Sequence, residues 1–393
     1  MTDSFDFRTG DVIADAYSIV RPIGIGGSAA VYRARHLSSD RRVALKIMHE
    51  TDPSGIGKKR FEREAALVQR LAHPNIVQMH DFGYTDSGQP YISFSLLEGR
   101  SLKYFIKNEA PFDPKRLGRV TLEVLSALDV AHRMGIIHRD IKPANIFMSQ
   151  SPHGETAQVL DFGLAKMLFG DEEELLATLT RTGFRLGTPR YMSPEMARGQ
   201  RANEASDLYS LGLVMAEMIT GTPIVPGNSQ IDVLMAHASE TELVLAPEVT
   251  ASPFATIIQR AVAKGLDVRY RTALQMQADV SALLARLDAG RGAVGGEEDE
   301  LAATLAFGSD VVNLEATMLD PEAQRPIGTI PIDTPPVPVP AYSQPSFPVA
   351  PPSPAPSPAP SPVTPNRTPV IVAMVIFAVF VIAAAVAGYV FGG

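Results

Sequence analysis

Three polar side chains of different chemistry fall within six positions of the stretch HRDIKPANIF. They are the carboxylate of Asp140, the ammonium of Lys142 and the amide of Asn145. Asp161 follows sixteen residues after Asn145 and opens the stretch DFGLAK, whereas Lys46 stands far upstream in VALKIM. Together these residues supply a carboxylate base, two ammonium groups and two oxygen donors, which are the groups that phosphoryl transfer requires.

A glycine-rich stretch, PIGIGGSAAVY, precedes these residues and contains Gly24, Gly26 and Gly27, with Ala29 where a third motif glycine is expected. It runs into a strand, an SSD turn and the short strand VALKI, which predicts a hairpin. A dinucleotide-binding fold requires a helix directly after the glycines, so the pattern argues against that fold. By itself the stretch leaves two interpretations open, a turn between strands and a loop that closes over phosphates.

Phosphoryl transfer depends mainly on holding the nucleotide phosphates and the acceptor hydroxyl in line. The backbone amides of residues 24–29 would close over the phosphates, and Lys46 would contact the α- and β-phosphate oxygens. We expect an ion pair with Glu64, on the predicted helix of residues 58–72, to position the Lys46 ammonium.

The remaining groups would serve the metal ion and the acceptor. Asp161 and Asn145 supply the hard oxygen atoms that Mg²⁺ prefers, with Mn²⁺ as an alternative ion. Asp140 would accept the hydroxyl proton. Lys142 would counter negative charge near the γ-phosphate.

The distribution of elements predicts an α+β chain with two parts. Residues 17–95 read mainly as short strands with one helix, and residues 96–287 are dominated by helices. Residues 1–16 form a lead-in. The amphipathic segment of residues 114–135 is a long helix by its apolar spacing, and a glycine ends it.

Composition excludes several classes of protein. The 393-residue chain has no cysteine, so disulfides and thiolate metal sites are excluded, and its net charge of −8 gives no indication of nucleic-acid binding. The N-terminus has no apolar segment of the signal-peptide kind.

The C-terminal part differs from the rest. Residues 288–369 are predicted to be a disordered linker, rich in proline from about residue 321 and extended as polyproline II. We expect a spacer, with a P-x-x-P ligand as the alternative.

An uncharged segment, residues 370–390, precedes a short tail of residues 391–393. A helix of that length measures about 31 Å, which matches a hydrocarbon core of about 30 Å. Arg367 stands on its N-terminal side, so the positive-inside rule predicts a tail anchor with a cytoplasmic N-terminal part.

The ordered set of motifs resembles that of the bacterial Hanks-type serine/threonine protein kinases. The glycine-rich loop, VALK, HRDxKxxN, DFG and SPE occur in the family's order over residues 17–287. The resemblance implies a bilobal fold with a β-rich N-lobe and a helical C-lobe, use of ATP and Mg²⁺, and an inner-membrane location. Lys142 matches the serine/threonine form, and Arg269 would pair with Glu195 to brace the C-lobe.

The same resemblance assigns the residues around the nucleotide. Phe94 matches the gatekeeper, and Ser95 and Leu97 would present backbone groups to adenine. The other residues implied to contact ATP, beside those named above, are Ile23, Val31 and Ala44.

Regulation is also implied by the resemblance. Arg139 precedes the base, as in kinases switched by phosphorylation of the activation segment. Thr180 and Thr182 match the autophosphorylated pair of related bacterial kinases, and Thr178 is a further candidate. The alternative is that these threonines merely populate a loop.

The resemblance to kinases also implies partners for this chain. Protein substrates with serine or threonine are expected, and a homodimer would serve trans-autophosphorylation. Phosphorylated Thr317, or Thr304 as a second candidate, would suit a phosphothreonine-reading FHA domain; the alternative, which the sequence favours, is that both threonines are incidental to the linker. The alternative function is an inactive pseudokinase scaffold, which usually lacks one of the groups Lys46, Asp140, Asn145 or Asp161.

Overall fold

The computed structural model describes residues 6–26, 29–49, 56–151, 154–162 and 189–306, with side chains up to residue 289. Two sheets are formed by nine strands of this part: β1 (Val12–Ile13), β2 (Tyr17–Ile25), β3 (Ala29–His36), β4 (Arg42–Met48), β5 (Met79–Tyr84), β6 (Pro90–Ser95), β7 (Gly99–Ser101), β8 (Ile146–Ser151) and β9 (Gly154–Val159). The first sheet has the antiparallel order β1-β2-β3-β4-β6-β5, and the second has the order β7-β8-β9.

Nine α-helices lie in the same described ranges: α1 (Ile56–Gln69), α2 (Leu102–Glu109), α3 (Pro114–Arg133), α4 (Pro194–Ala197), α5 (Glu204–Thr220), α6 (Gln230–Ala238), α7 (Pro247–Thr250), α8 (Ala255–Ala261) and α9 (Ala273–Ala306). Except for α1, they follow the first sheet in the chain. The architecture is therefore a strand-rich N-lobe and a helical C-lobe.

One face of the first sheet is apolar, because buried apolar side chains alternate along its strands with more exposed ones. That face carries a core of its own, which includes Tyr17, Tyr32 and Leu45, with Phe7 packed against it. Strand β1 pairs with β2 through Val12 and Ser18, so part of the lead-in belongs to the sheet.

The long helix α3 begins and ends where the sequence predicts. The side chain of Asp113 accepts hydrogen bonds from the backbone N–H groups of Lys115 and Arg116, and Pro114 occupies the first helical turn. After the helix, Gly135 has a φ of +72°, a left-handed conformation that favours glycine.

Helix α5 is the centre of the C-lobe. It is buried over most of its length, and α3 and α8 pack against it. Gly212 makes the close approach to α8, because a Cβ there would lie 2.7 Å from the Cβ of Ala261.

In the described ranges, no helix is both long enough and apolar enough to span a bilayer. Residues 288–306, where the sequence predicts the start of a disordered linker, are helical as the last part of α9. The rest of the predicted linker and the predicted span of residues 370–390 lie outside these ranges.

Candidate active site

The short loop between α3 and β8 brings Asp140, Lys142 and Asn145 together. Oδ2 of Asp140 accepts from Nζ of Lys142 at 2.6 Å and from Nδ2 of Asn145 at 2.9 Å. A 3₁₀ turn, Pro143–Asn145, positions the amide, whose Nδ2 also donates to the backbone oxygen of Asp140. The Asp140 side chain remains 46% exposed, so its carboxylate is fixed in direction yet open to a ligand.

A buried carboxylate of α5 binds the backbone of this loop. Asp207 accepts hydrogen bonds from the backbone N–H groups of His138 and Arg139, both at 2.8 Å, and from Nε2 of His132 at 2.8 Å. Arg139 has a φ of +68°, and these bonds stabilise its strained backbone. Burial would raise the pKa of the Asp207 carboxyl, but the bonds from His132 and His138 hold it below its ordinary value.

His138 joins the loop to the segment that carries Asp161. Its Nδ1 accepts from the backbone N–H of Asp140, so its Nε2 carries the proton that is donated to the backbone oxygen of Leu160 at 2.7 Å. The ring of Phe162 stacks edge-on against it, with centroids 4.7 Å apart. These contacts fix the backbone on both sides of Asp161, whose φ of +61° is left-handed.

The ammonium of Lys46 reaches the same place from the N-lobe. Its Nζ lies 2.6 Å from Oδ2 of Asp161, with the two side chains 17% and 26% exposed. The predicted pairing of Lys46 with Glu64 is not formed, since Glu64 lies 2.8 Å from Arg63 instead. The physical reason is competition: Asp161 is the carboxylate in contact with the ammonium, and a neighbouring guanidinium holds Glu64.

A cavity opens beside this ion pair. Eight predicted nucleotide contacts line it: Ile23, Val31, Ala44, Lys46, Phe94, Ser95, Leu97 and Asp161. Four further lining residues were missed by the sequence analysis: Val77, Leu96, Phe147 and Leu160. Apolar side chains from β3 and β4 on one side and β8 on the other leave a slot that suits a flat aromatic ring.

The model of the protein kinase domain family matches residues 17–276. The chain belongs to this family.

Similar proteins indicate which class of protein kinase the chain resembles. The chain is 37% identical over 279 residues to a probable serine/threonine-protein kinase PknB of Lactococcus lactis, covering 70% of this chain and 43% of that one. It is 38% identical over 243 residues to the serine/threonine-protein kinase pkn3 of Myxococcus xanthus, covering 61% and 44%. Identity to PknB of Mycobacterium tuberculosis is 35% over 276 residues, covering 68% and 43%. The chain thus groups with bacterial serine/threonine protein kinases, and it spans less than half the length of these relatives.

The fold is also shared with solved structures. A crystal structure of the PknI kinase domain of Mycobacterium tuberculosis matches with a TM-score of 0.56 and 22% identity, covering 71% of this chain and 99% of that chain. This likeness shows the kinase fold.

The glycine-rich stretch of the kinase forms the hairpin between β2 and β3. The N–H of Gly26 donates to the backbone oxygen of Ala29 at 2.8 Å, and Gly24 pairs with Val31 across the strands. Gly27 lies outside the described residues. The structure therefore confirms the predicted hairpin. Its closing over phosphates stays a prediction, which the use of a glycine-rich loop over the nucleotide in protein kinases favours.

His49 contacts this hairpin, a role that the sequence analysis missed. Its Nε2 lies 3.1 Å from the backbone oxygen of Gly26, and its Nδ1 lies 3.6 Å from the carboxylate of Asp6. No local pattern predicted this role, because Gly26 and Asp6 lie 23 and 43 positions away from His49 in the sequence.

Residues 95–97, which follow the gatekeeper and form the hinge segment, are held by contacts with residues of the N-lobe. The N–H of Ser95 donates to the backbone oxygen of Gln78 at 2.9 Å, so this donor is not available to a ligand. The Ser95 hydroxyl lies 3.0 Å from Nε2 of His80, and Arg41 donates to Nδ1 of the same ring. Burial, and then the Arg41 charge, lower the pKa of His80. The neutral ring therefore positions the hinge.

The C-lobe of the kinase contains the predicted ion pair of Arg269 and Glu195. Two nitrogens of the guanidinium lie 2.7 and 3.3 Å from the carboxylate, and the two side chains are 1% and 4% exposed. Burial would raise the pKa of Glu195, but the bonds from Arg269 and Ser206 lower it. The Glu195 carboxylate therefore stays ionised although it is buried.

The predicted regulatory threonines Thr178, Thr180 and Thr182 lie outside the described residues, and so does Thr317. The side chain of Thr304 on α9 is also outside them.

Proposed function

We propose that this chain is an ATP-dependent serine/threonine protein kinase that transfers the γ-phosphoryl group of Mg-ATP to protein hydroxyls. The observation that carries the proposal is the convergence of Asp140, Lys142 and Asn145 beside the Lys46–Asp161 pair. Asp140 accepts hydrogen bonds from Lys142 and Asn145, and Lys46 donates to Asp161. The two groups are adjacent because the N–H of Leu160, the residue before Asp161, donates to the backbone oxygen of Asn145 at 2.9 Å.

The donor set suits a magnesium ion, with manganese as the alternative. Asn145 uses its Nδ2 on Asp140, which leaves its amide oxygen, and Asp161 uses only Oδ2 on Lys46. These are hard oxygens, and Mg²⁺ takes one or two protein ligands together with phosphate oxygens. When bound, the ion would neutralise charge on the transferring phosphates.

Each protein group then has a defined task. Asp140 takes the proton of the acceptor hydroxyl. The hydroxyl oxygen forms a bond to the γ-phosphorus, and the bond between that phosphorus and the leaving ADP oxygen breaks. Lys142, whose Nζ lies 2.6 Å from the same carboxylate, balances charge on the transferred group. Lys46 moves from Asp161 toward the α- and β-phosphates when the nucleotide enters.

Regulation by autophosphorylation extends this proposal. The acceptors are Thr180 and Thr182, with Thr178 as a further candidate, and Arg139 would pair with the phosphate. A second copy of the chain would supply the transferring site. Phosphorylated Thr317 or Thr304 would recruit an FHA domain.

We also propose that residues 370–390 anchor the kinase in the inner membrane. The support is their uninterrupted apolar sequence and the lack of any charge. The kinase domain would then work on the cytoplasmic side.

The test is phosphate transfer from labelled ATP with Mg²⁺, on the full chain itself and on a generic basic protein. Asp140→Asn keeps the size of the side chain and removes the base, so we expect at least a hundredfold lower rate with an unchanged melting temperature. Asp113→Asn, which changes the capping carboxylate of α3, is the matched control. Equal transfer by the Asp140→Asn protein would refute the assigned base, and nucleotide binding without transfer by the wild type would indicate a scaffold.

A further inference from the structure

Four arginines share one face of the first sheet. In the register of the strands, Arg21 of β2 lies directly opposite Arg33 of β3, and Arg35 of β3 lies directly opposite Arg42 of β4. Arg33 and Arg35 are two positions apart on one strand, so both pairs point to the same side. These four residues are the arginine face.

This arrangement costs stability. Like charges directly opposite each other on neighbouring strands are unfavourable. Compensation is small, because Arg35 has an exposed partner in Asp40 at 3.1 Å, with the side chains 56% and 80% exposed. Arg21, Arg33 and Arg42 make no side-chain hydrogen bond or ion pair with any residue that the structure describes. A chain with a net charge of −8 thus concentrates uncompensated positive charge at one place.

The position of the arginine face relates it to the nucleotide cavity. Arg33 stands two residues after Val31 on β3, and Arg42 stands two residues before Ala44 on β4. Val31 and Ala44 line the cavity, so strand alternation puts the arginines on the same side of the sheet. The opposite side is the buried core that Phe7 covers.

We propose that the arginine face binds an acidic segment of the protein substrate. Guanidinium groups bind carboxylates in a planar, bidentate way that lysine does not reproduce, and all four residues are arginine. Arg33 and Arg35 are about 7 Å apart along the strand, which is also the spacing of alternate side chains in an extended peptide. The proposal rests on the proposed kinase function and adds the substrate class to it.

A peptide fits this face better than a membrane does. The arginines lie on the side of the sheet whose residues Val31 and Ala44 line the cavity, and their spacing along β3 matches that of alternate side chains in an extended peptide. The sequence also shows acidic residues ahead of candidate acceptors, since the run DEEE ends four residues before Thr178.

The test is fluorescence anisotropy with the full chain and a labelled peptide that has four consecutive glutamates ahead of one threonine. The matched peptide has four glutamines. We expect the acidic peptide to bind more tightly, and the Arg33→Gln/Arg42→Gln protein to bind it about fivefold more weakly, since each exposed charge pair contributes modestly. The advantage should decrease as salt rises.

The control protein is Arg271→Gln/Arg286→Gln, which removes the same charge from exposed positions of the C-lobe. It should bind the acidic peptide as the wild type does. Equal weakening in both proteins would reveal a general charge effect and overturn the proposal, and so would equal binding of the two peptides by the wild type. If the Arg33→Gln/Arg42→Gln protein lost binding to vesicles with one quarter anionic phospholipid but kept its binding to the acidic peptide, the face would bind a membrane. That result would also overturn the proposal.

Phosphorylation of the same peptides separates this proposal from the proposed function. The ratio of kcat/KM for the acidic over the glutamine peptide should fall in the Arg33→Gln/Arg42→Gln protein and not in the control. If no peptide is phosphorylated but the acidic one still binds through the arginines, the kinase function fails and the binding site stands.

Discussion

Asp140 and Asp207 are the same residue type with opposite tasks, and their surroundings explain the difference. Asp140 is 46% exposed, and two side chains direct its carboxylate, which suits a group that must exchange a proton with a substrate. Asp207 is 1% exposed and accepts three hydrogen bonds, so it stays ionised and immobile. Asp207 holds the loop that carries Asp140, the proposed base.

The buried pair of Arg269 and Glu195 gives a prediction about stability at this scale. Arg269→Met should lower the free energy of unfolding by about 3–5 kcal/mol, because it leaves the Glu195 carboxylate buried without its partner. Urea unfolding measures the loss. The exposed pair of Lys115 and Asp288 is the control, since Lys115→Met should cost less than about 1 kcal/mol.

A double variant checks the reason for that loss. Arg269→Met/Glu195→Gln removes both charges and should recover part of the stability. If the double variant is less stable than Arg269→Met alone, packing and not the uncompensated charge explains the effect.

At the scale of elements, the hairpin of β2 and β3 depends on a residue at the end of β4. His49 joins the backbone of Gly26 to the lead-in residue Asp6. Three chain segments therefore meet above the expected phosphate positions. This contact restrains a hairpin that otherwise ends in glycines.

We predict that His49→Ala raises the KM for ATP about threefold and changes kcat less, because one hydrogen bond contributes roughly 0.5–1.5 kcal/mol. Steady-state kinetics with a peptide substrate measure both constants. His49→Gln should restore part of the affinity through its amide N–H, and Asp6→Asn should have the smaller effect, since its contact is longer. An unchanged KM for His49→Ala would show that the hairpin does not need this contact.

At the scale of the whole molecule, a buried histidine makes folding depend on pH. His237 of α6 is fully buried, and its Nδ1 lies 3.0 Å from the hydroxyl of Tyr209 on α5. Burial, and then the charge of Lys264, lower the pKa of His237 to about 4. The folded state therefore holds this ring neutral, whereas the unfolded chain protonates it near its ordinary pKa.

The sign of the pH effect follows from that lowered pKa. The full contribution of His237 to stability is present above pH 6.5 or so, and it is lost as the pH falls toward about 4. The loss amounts to roughly 3 kcal/mol, at about 1.4 kcal/mol for each unit. Glu195 and Asp207 have pKa values lowered from 4.5 and 3.8, so their contributions are lost as the pH falls below those ordinary values.

Urea unfolding at pH 7 and pH 4.5 tests this prediction. His237→Asn keeps an acceptor for Tyr209 and cannot be protonated, so its stability should fall less between the two pH values than that of the wild type. The same fall in both proteins would assign the acid sensitivity to other groups.

The sequence by itself determined the chemistry of the site and much of the architecture. Asp140, Lys142 and Asn145 lie within one short loop, so their meeting follows from local geometry and the residue types define their tasks. The hairpin of β2 and β3 and the helix α3 were also predictable, because turn residues, strand alternation and caps act over a few positions. The predicted Arg269–Glu195 pair came from the family resemblance.

Only the tertiary structure decided which distant groups pair. Lys46 contacts Asp161, 115 positions away, and not Glu64 as predicted. Three other features also depend on residues of separate elements. They are the bonds from Asp207 to the loop, the contact of His49 with Gly26 and the arginine face. Sequence patterns specify which face of an element is apolar, but they do not specify which charged groups are brought into contact. That choice is made when the packed elements fix distances, because ion pairs and hydrogen bonds require contact within a few ångströms.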